Sequence, residues 1–322
     1  MDNPILKTAL AGGAAIVALL AAGFVMPKWL LFLSTMAISH GLVSMGIVLL
    51  MRSGVVSFGQ GFVFAAGGYA AALLANHTGI TDAVVLVLGG GLSAALLAPP
   101  FSPLLSRYLG IFFAMLTLAI SMVLYGILVK SEAMGGSDGF NVSRPTLFGN
   151  EISSEGANLA LYSVAVVLVG MLATVARVYS DSVRGMVSLA IRENELRIEY
   201  LGASVSGAIA VNFVFAAFLG GVGGALTVLA LGHIEPNFSY WTTSGEFVFV
   251  AILSGHHSML AVFLASFVVE VVRSFSNLYF PNTWQLAMGL FLLVVIRFLP
   301  RGLGSLWIDR QAARRAEQEA RA

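Results

Sequence analysis

The sequence predicts an all-α, polytopic membrane protein, a bundle of about ten transmembrane helices. The 322 residues are 58% hydrophobic and 10% charged, and their mean hydropathy is +0.90, whereas soluble domains carry about 25% charged residues. Apolar stretches near the ~20 residues that cross a bilayer recur along the chain. The basic residues also separate onto two sides when these stretches are treated as spans, as expected for a membrane protein.

Each apolar stretch between polar breaks is interpreted as one span. The first is longer than the ~7–15-residue hydrophobic region of a signal peptide, so we expect it to be retained as a span. Three glycine-rich runs, at 59–71, 89–95 and 220–224, are typical of helices that pack closely in lipid. The predicted spans lie near residues 8–26, 29–51, 57–75, 83–103, 109–129, 159–179, 205–231, 241–254, 258–272 and 283–299.

The two short stretches on either side of Gly255-His256-His257 could also form one long span. Merging them would place the Arg-rich C-terminal tail opposite the charged segment near residue 195, so the positive-inside rule favours two spans. Both termini are then cytoplasmic. Residues 1–306 form one transmembrane domain, and 307–322 form a charged cytoplasmic tail. All Lys and Arg residues then share the cytoplasmic face, except Lys28, Lys130, Arg144 and Arg273.

The loop from Lys130 to Asn158 faces outward in this topology and is the longest polar excursion on that side. We expect it to help receive an extracytoplasmic protein, although a solvated connector is an open alternative. Acidic residues outnumber basic ones in it, namely Glu132, Asp138, Glu151 and Glu155.

A charged island, AIRENELRIEYLGASV at 190–205, lies between two spans on the cytoplasmic side. We expect an amphipathic helix over 181–201 with Ile191, Glu195 and Ile198 on one stripe, ended by Gly202. Such a helix could rest on lipid headgroups, but its interspersed glutamates favour contact with a soluble protein. The coupling segment is therefore predicted at 181–203, with contact residues Arg192, Glu193, Asn194, Glu195, Leu201 and Gly202.

Several kinds of chemistry are absent from the chain. With no cysteine there is no disulfide, thiolate metal site or cysteine nucleophile. The only lysines are Lys7, Lys28 and Lys130, and none follows a glycine, so the chain contains no P-loop for ATP. It also lacks a clustered acid–base set or a His/Glu metal motif. We therefore expect neither an enzyme nor a metal protein, and the net charge of +1 does not favour nucleic acid.

Ionisable residues within the spans are few. His40 lies near the middle of the second span, whereas Glu246 and Glu270 are expected near outer ends. An ion-coupled secondary transporter usually needs a deep carboxylate, so this alternative is disfavoured and energy is expected from another chain. Polar residues within spans either line a translocation path or join helices by hydrogen bonds. They are Ser39, His40, Ser44, Thr117, Ser121 and Asn212.

The island at 190–205 resembles the cytoplasmic coupling segment of branched-chain amino acid ABC transporter permeases, particularly the LivM-type subunit. Four further segments are similar to family signatures and occur in the same order. They are SFGQGFVFAAGGYAAALL (57–74), GIFFAMLTLAIS (110–121), GGSDGF (135–140) and LAMGLFLLVVIRFLPRGLGSL (286–306). One stretch, ILSGHHSMLAVFLAS (252–266), departs from the family's usual Gly-Gly-x-Gly-Ser turn.

The resemblance implies an ABC importer permease fold in the bacterial inner membrane. A homologous permease, two cytoplasmic ATPase subunits and an extracytoplasmic substrate-binding protein would be its partners. The permease would hold no cofactor, because the ATPase subunits bind ATP. Branched-chain amino acids, or related small polar or organic-acid solutes, would cross by alternating access.

Overall fold

The computed structural model describes residues 4–147, 149–151, 156–255, 261–281, 283–298 and 302–304. Each predicted span coincides with at least one helix. The helices are α1 (Pro4–Gly23), α2 (Lys28–Arg52), α3 (Gln60–Thr78), α4 (Ala83–Leu97), α5 (Ser102–Leu105), α6 (Gly110–Lys130), α7 (Ala157–Asp181), α8 (Val183–Glu193), α9 (Glu195–Tyr200), α10 (Val205–Leu231), α11 (Trp241–Ser254), α12 (Ala261–Tyr279) and α13 (Trp284–Phe298).

Within the described residues, five helices are long and apolar enough to cross a membrane, namely α2, α6, α7, α10 and α12. The apolar part of α1, together with α4 and α13, is shorter. A count of ten crossings therefore stays a prediction. The predicted C-terminal tail at 307–322 and the His256-His257 turn lie outside the described residues.

Two predicted span boundaries are wrong. The fourth span ends at Leu97 and not near 103, because the chain turns at Pro99-Pro100 before the four-residue α5. The ninth span was expected at 258–272, but α12 runs from Ala261 to Tyr279. Residue 272, the predicted outer end of the ninth span, therefore lies inside α12.

The core of the bundle lies where α10 packs against α2, α3 and α4. Glycines set the spacing there. A Cβ on Gly90 would lie 2.6 Å from the carbonyl oxygen of Gly67, and a Cβ on Gly67 or Gly224 would overlap the backbone of the facing helix. The prediction that the glycine-rich runs permit close helix packing is confirmed.

The two short helices α11 and α12 are separate, as the sequence predicts. The first ends at Gly255, whose φ of 74° is a conformation that glycine adopts readily. Arg273 of α12 reaches back to Glu246 of α11, with Nη1 3.3 Å from Oε2. The pair therefore forms an antiparallel hairpin, which packs against α2.

The predicted outward loop is folded against helix ends. Strand β1 (Phe140–Asn141) pairs antiparallel with β4 (His233–Ile234), which follows α10. Strand β2 (Thr146–Leu147) pairs with β3 (Asn150–Glu151). Asn76 near the end of α3 donates a hydrogen bond to the Asn141 carbonyl at 2.9 Å. Glu155, one of the four acidic residues of the loop, lies outside the described residues.

We predict that Gly224→Ala destabilises the protein and that Gly126→Ala does not. The added methyl at 224 would collide with the Phe64 carbonyl, whereas nothing lies within 4 Å of a Cβ at 126. Overpacking costs about 1–3 kcal/mol, while replacing a helical glycine by alanine gains up to about 1 kcal/mol. Thermal unfolding in detergent should show a lower Tm for Gly224→Ala only. Equal Tm values for the two variants would contradict the close packing of Gly224 against the Phe64 backbone.

Candidate functional site

The coupling segment is two helices and not the single helix expected over 181–201. Asn194 breaks it with an extended backbone (φ −162°, ψ 101°). Its side-chain Oδ1 accepts a hydrogen bond from the Arg197 backbone N–H at 3.0 Å and so caps α9. At the other end Ser182 separates α8 from α7. The break follows from Asn194 acting as a cap, a role that asparagine favours over a helix interior.

The predicted buried face and exposed face of the segment nevertheless continue from α8 to α9. Ile191 and Ile198 are both buried in one apolar cluster beneath the segment. Gly202, with a φ of 84°, follows the end of α9, so the predicted helix stop is confirmed. Arg192, Glu193 and Asn194 are exposed. Large apolar side chains are also exposed on the segment, namely Val183, Met186, Leu189, Leu196, Tyr200 and Leu201.

Asn212 of α10 ties this segment to the spans. Its Nδ2 donates hydrogen bonds to Ser53 Oγ at 2.7 Å and to Ser188 Oγ at 2.9 Å. Its Oδ1 accepts a hydrogen bond from the Tyr179 hydroxyl at 2.5 Å. One buried amide therefore links α8 to α7, α10 and the end of α2. Sequence reasoning proposed Asn212 but missed its three partners, because the four residues are far apart in the chain.

Four of the other path candidates form two groups. Ser39 and Ser44 are buried in α2 and donate to the carbonyls of the residues four positions earlier, at 2.8 and 2.9 Å. Thr117 and Ser121 are buried on α6. Thr117 Oγ1 accepts from the Phe58 N–H at 3.1 Å, and Ser121 donates to the Ser239 carbonyl at 2.7 Å. A path role for each of them stays a prediction.

Two helices begin inside the bundle beside Thr117 and Ser121, near the middle of α6. The N–H of Gly61, at the start of α3, donates to Ser244 Oγ of α11 at 2.9 Å. Buried hydroxyls thus hydrogen-bond irregular backbone at the depth of the membrane centre, as lipid requires. Gln60 Oε1 is buried here and has no hydrogen-bond partner among the described residues.

His40 belongs to a cluster of four ionisable side chains. Its Nδ1 lies 3.1 Å from Glu270 Oε2, and its ring packs edge-on against Phe247. Arg273 Nη1 lies 3.3 Å from Glu246 Oε2 and 4.0 Å from Glu270 Oε2. The expectation that only His40 is deep is wrong. Because α12 extends to Tyr279, Glu270 lies in its middle and meets His40 in the middle of α2.

The sequence contained a signal for this cluster. Residues four or three apart share one face of a helix, and polar residues recur with this spacing on α12. They are Ser266, Glu270, Arg273 and Asn277. The span boundary at 272 concealed this pattern.

Comparison with known proteins identifies the family. Residues 29–297 match the family described as "Branched-chain amino acid transport system / permease component". The chain belongs to this family. No solved structure matches the chain.

Two relatives of this branched-chain permease are the high-affinity branched-chain amino acid transport system permease proteins LivM of Salmonella typhimurium strain LT2 and of Escherichia coli strain K12. They are 27% and 26% identical over 329 aligned residues, which cover 94% of this chain and 76% of each relative. The resemblance stated from the sequence is confirmed. The chain is a multi-pass membrane permease subunit of a transporter, in agreement with the expectation that it is not an enzyme.

We predict that Asn212→Leu destabilises this branched-chain permease. The substitution removes the amide partner of the Ser53 and Tyr179 hydroxyls, while Ser188 keeps its hydrogen bond to the Arg184 carbonyl. Each buried polar group without a partner costs about 1–3 kcal/mol. Thermal unfolding should show a clear loss of Tm. Ser206→Ala on the same helix is the control, since Ser206 is exposed and its hydroxyl hydrogen-bonds, within the described residues, only to Ser204 Oγ at 3.4 Å. An unchanged Tm for Asn212→Leu would show that the link is dispensable.

Proposed function

We propose that this chain is the membrane-spanning permease subunit of an ATP-driven ABC importer in the bacterial inner membrane. Its substrates would be branched-chain amino acids or related small polar or organic-acid solutes. Family membership supports the transport role. The observation that supports ATP coupling concerns the segment formed by α8 and α9. This segment exposes apolar and charged side chains and is hydrogen-bonded through Asn212 to the spans.

The proposed assembly contains a homologous permease, two cytoplasmic ATPase subunits and an extracytoplasmic substrate-binding protein. The ATPase subunits bind ATP, so this chain needs no cofactor of its own. Closure of the ATPase pair would push on α8 and α9. Asn212 would pass this displacement to α7, α10 and the end of α2, and the bundle would open to the other side.

An ion-coupled secondary transporter is the alternative function. The His40–Glu270 contact favours it, because it supplies the deep carboxylate that such a carrier needs. The coupling segment has no role in that alternative. Uptake into proteoliposomes that contain this chain alone, driven by a proton or sodium gradient, would establish it.

We predict that the double variant Glu193→Lys/Glu195→Lys abolishes ATP-dependent uptake while the permease stays inserted and folded. Both residues lie at the helix break, and Glu193 is exposed. Like charges brought together across an interface cost several kcal/mol, so uptake should fall at least about tenfold. Uptake and co-purification of the ATPase subunits measure the effect.

Arg107→Glu is the matched control, because it reverses an exposed charge between α5 and α6. It should leave uptake near the wild-type rate. If the double variant retains both uptake and the bound ATPase subunits, the segment is not the docking element.

We also predict that both termini are cytoplasmic, since the basic residues concentrate on the face of the coupling segment. A reporter that is active only in the cytoplasm should be active when fused after Ala322 and inactive when inserted within 135–154. A reporter that is active only outside the cytoplasm should give the reverse pattern. Activity of that second reporter after Ala322 would exclude this topology.

A further inference from the structure

Helix α12 carries a polar stripe that crosses half of the membrane. Ser266 is buried and donates a hydrogen bond to the Ala37 carbonyl of α2 at 2.7 Å. Glu270 and Arg273 follow on the same face, and Asn277, one turn farther, is exposed. The stripe therefore connects the middle of α12 with an exposed surface near its end. The exposed apolar residues Leu264, Phe275 and Leu278 lie on another side of the helix.

The charged part of this stripe lies deep in the bilayer. Glu270 and His40 meet near the middle of both their helices, and Arg273 lies about 4.5 Å farther along the axis. The Arg273 side chain is nevertheless 35% exposed, and that of Glu246 is 21% exposed. A charge exposed to hydrocarbon at this depth is costly, so such residues face a water-filled cavity or the bundle interior.

The exposed part of the cluster is formed by Arg273 and Glu246 and is called the Arg273–Glu246 edge. It has polar atoms that are available for further hydrogen bonds. Arg273 makes both of its ion pairs through Nη1, so its Nε and Nη2 donors have no partner among the described residues. Glu246 likewise pairs through Oε2, and its Oε1 accepts no hydrogen bond from the part of the chain that the structure describes. The Trp284 ring covers the guanidinium from one side, with Cζ 5.7 Å from the ring centroid.

The formal charges of the cluster do not balance. Two carboxylates, Glu246 and Glu270, face one guanidinium, Arg273, so the sum is negative when the His40 imidazole is neutral. The His40 ring also packs against the rings of Phe64 of α3 and Phe247 of α11. A zwitterion, which has no net charge, leaves this sum unchanged while pairing each of its charges with a side chain.

We propose that the Arg273–Glu246 edge faces the aqueous passage of the assembled transporter and binds the head group of an α-amino acid. The free Arg273 donors match a carboxylate, which a guanidinium binds with two parallel hydrogen bonds. The second Glu246 oxygen accepts from the ammonium group, so that each charged group of the zwitterion meets a side chain of opposite charge. The inference rests on the proposed importer function and adds a subsite within this chain.

The absence of cysteine permits a direct test of which side of α12 meets water. Single-cysteine variants Asn277→Cys and Phe275→Cys place a thiol on the polar stripe and on the exposed apolar side, within one turn of each other. The assembled transporter, with its second permease and ATPase subunits, is treated with a membrane-impermeant methanethiosulfonate. We expect labelling at 277 at least about tenfold faster than at 275. Equal rates, or faster labelling at 275, would overturn the proposal.

Ligand protection then tests the chemistry of the subsite. Leucine should slow the labelling of Asn277→Cys, whereas 4-methylpentanoate and 3-methylbutylamine, which each lack one charged group, should not at the same concentration. Adding Glu246→Gln should abolish protection by leucine while the unprotected labelling rate stays similar. Protection by all three compounds or by none of them would overturn the proposal, as would protection that survives Glu246→Gln.

The experiments distinguish a failure of the proposed subsite from a failure of the proposed importer function. Normal ATP-driven uptake by the wild-type assembly, with position 277 unreactive, rejects the subsite and keeps the function. Leucine protection at 277, without any ATP-dependent uptake by the wild type, supports the subsite and rejects the function.

Discussion

The close approach of α10 to α3 and α4 is the constraint on which the rest of the bundle depends. Facing glycines bring the backbones of Gly67, Gly90 and Gly221 together in one layer. Hydrophobic force does not drive helices together in lipid, so this shape fit and its dispersion contacts hold the core. The same contact encloses irregular backbone, because the start of α3 is buried between α10, α6 and α11.

Hydrogen bonds from polar side chains stabilise the bundle in addition to the glycine contacts. Where α3 and α11 start inside the bundle, hydroxyls of Thr117, Ser121 and Ser244 hydrogen-bond backbone groups that lipid would leave unpaired. Asn212 does the corresponding work at the end of the bundle that carries α8, where its partners are side chains. Hydroxyl and amide groups within the spans are thus structural elements of this fold, whether or not some of them also meet a solute.

The sequence predicted much of the fold, because hydrophobic length and glycine spacing act locally. Each predicted span has its helix, and the separation of α11 from α12 followed from charge alone. What failed depended on boundaries and on distant contacts. Placing the ninth span seven residues short put Glu270 at a helix end and hid its contact with His40. Asn194 broke the expected coupling helix because capping outweighed the amphipathic pattern.

The sequence predicted where the candidate site lies, but it did not predict which residues form hydrogen bonds and ion pairs between the helices. Residues 190–205 stand out by charge against apolar neighbours, but nothing local in the sequence pairs Asn212 with Ser53 or Arg273 with Glu246. Both links cross between helices, and both place a polar group against a partner that it needs in a low-dielectric environment. In the proposed mechanism, a displacement of α8 would act on the buried amide of Asn212, which is hydrogen-bonded to the end of α2. Because α2 also carries His40, one continuous helix joins this end of the bundle to the ionic cluster, and the proposed displacement would reach the cluster along it.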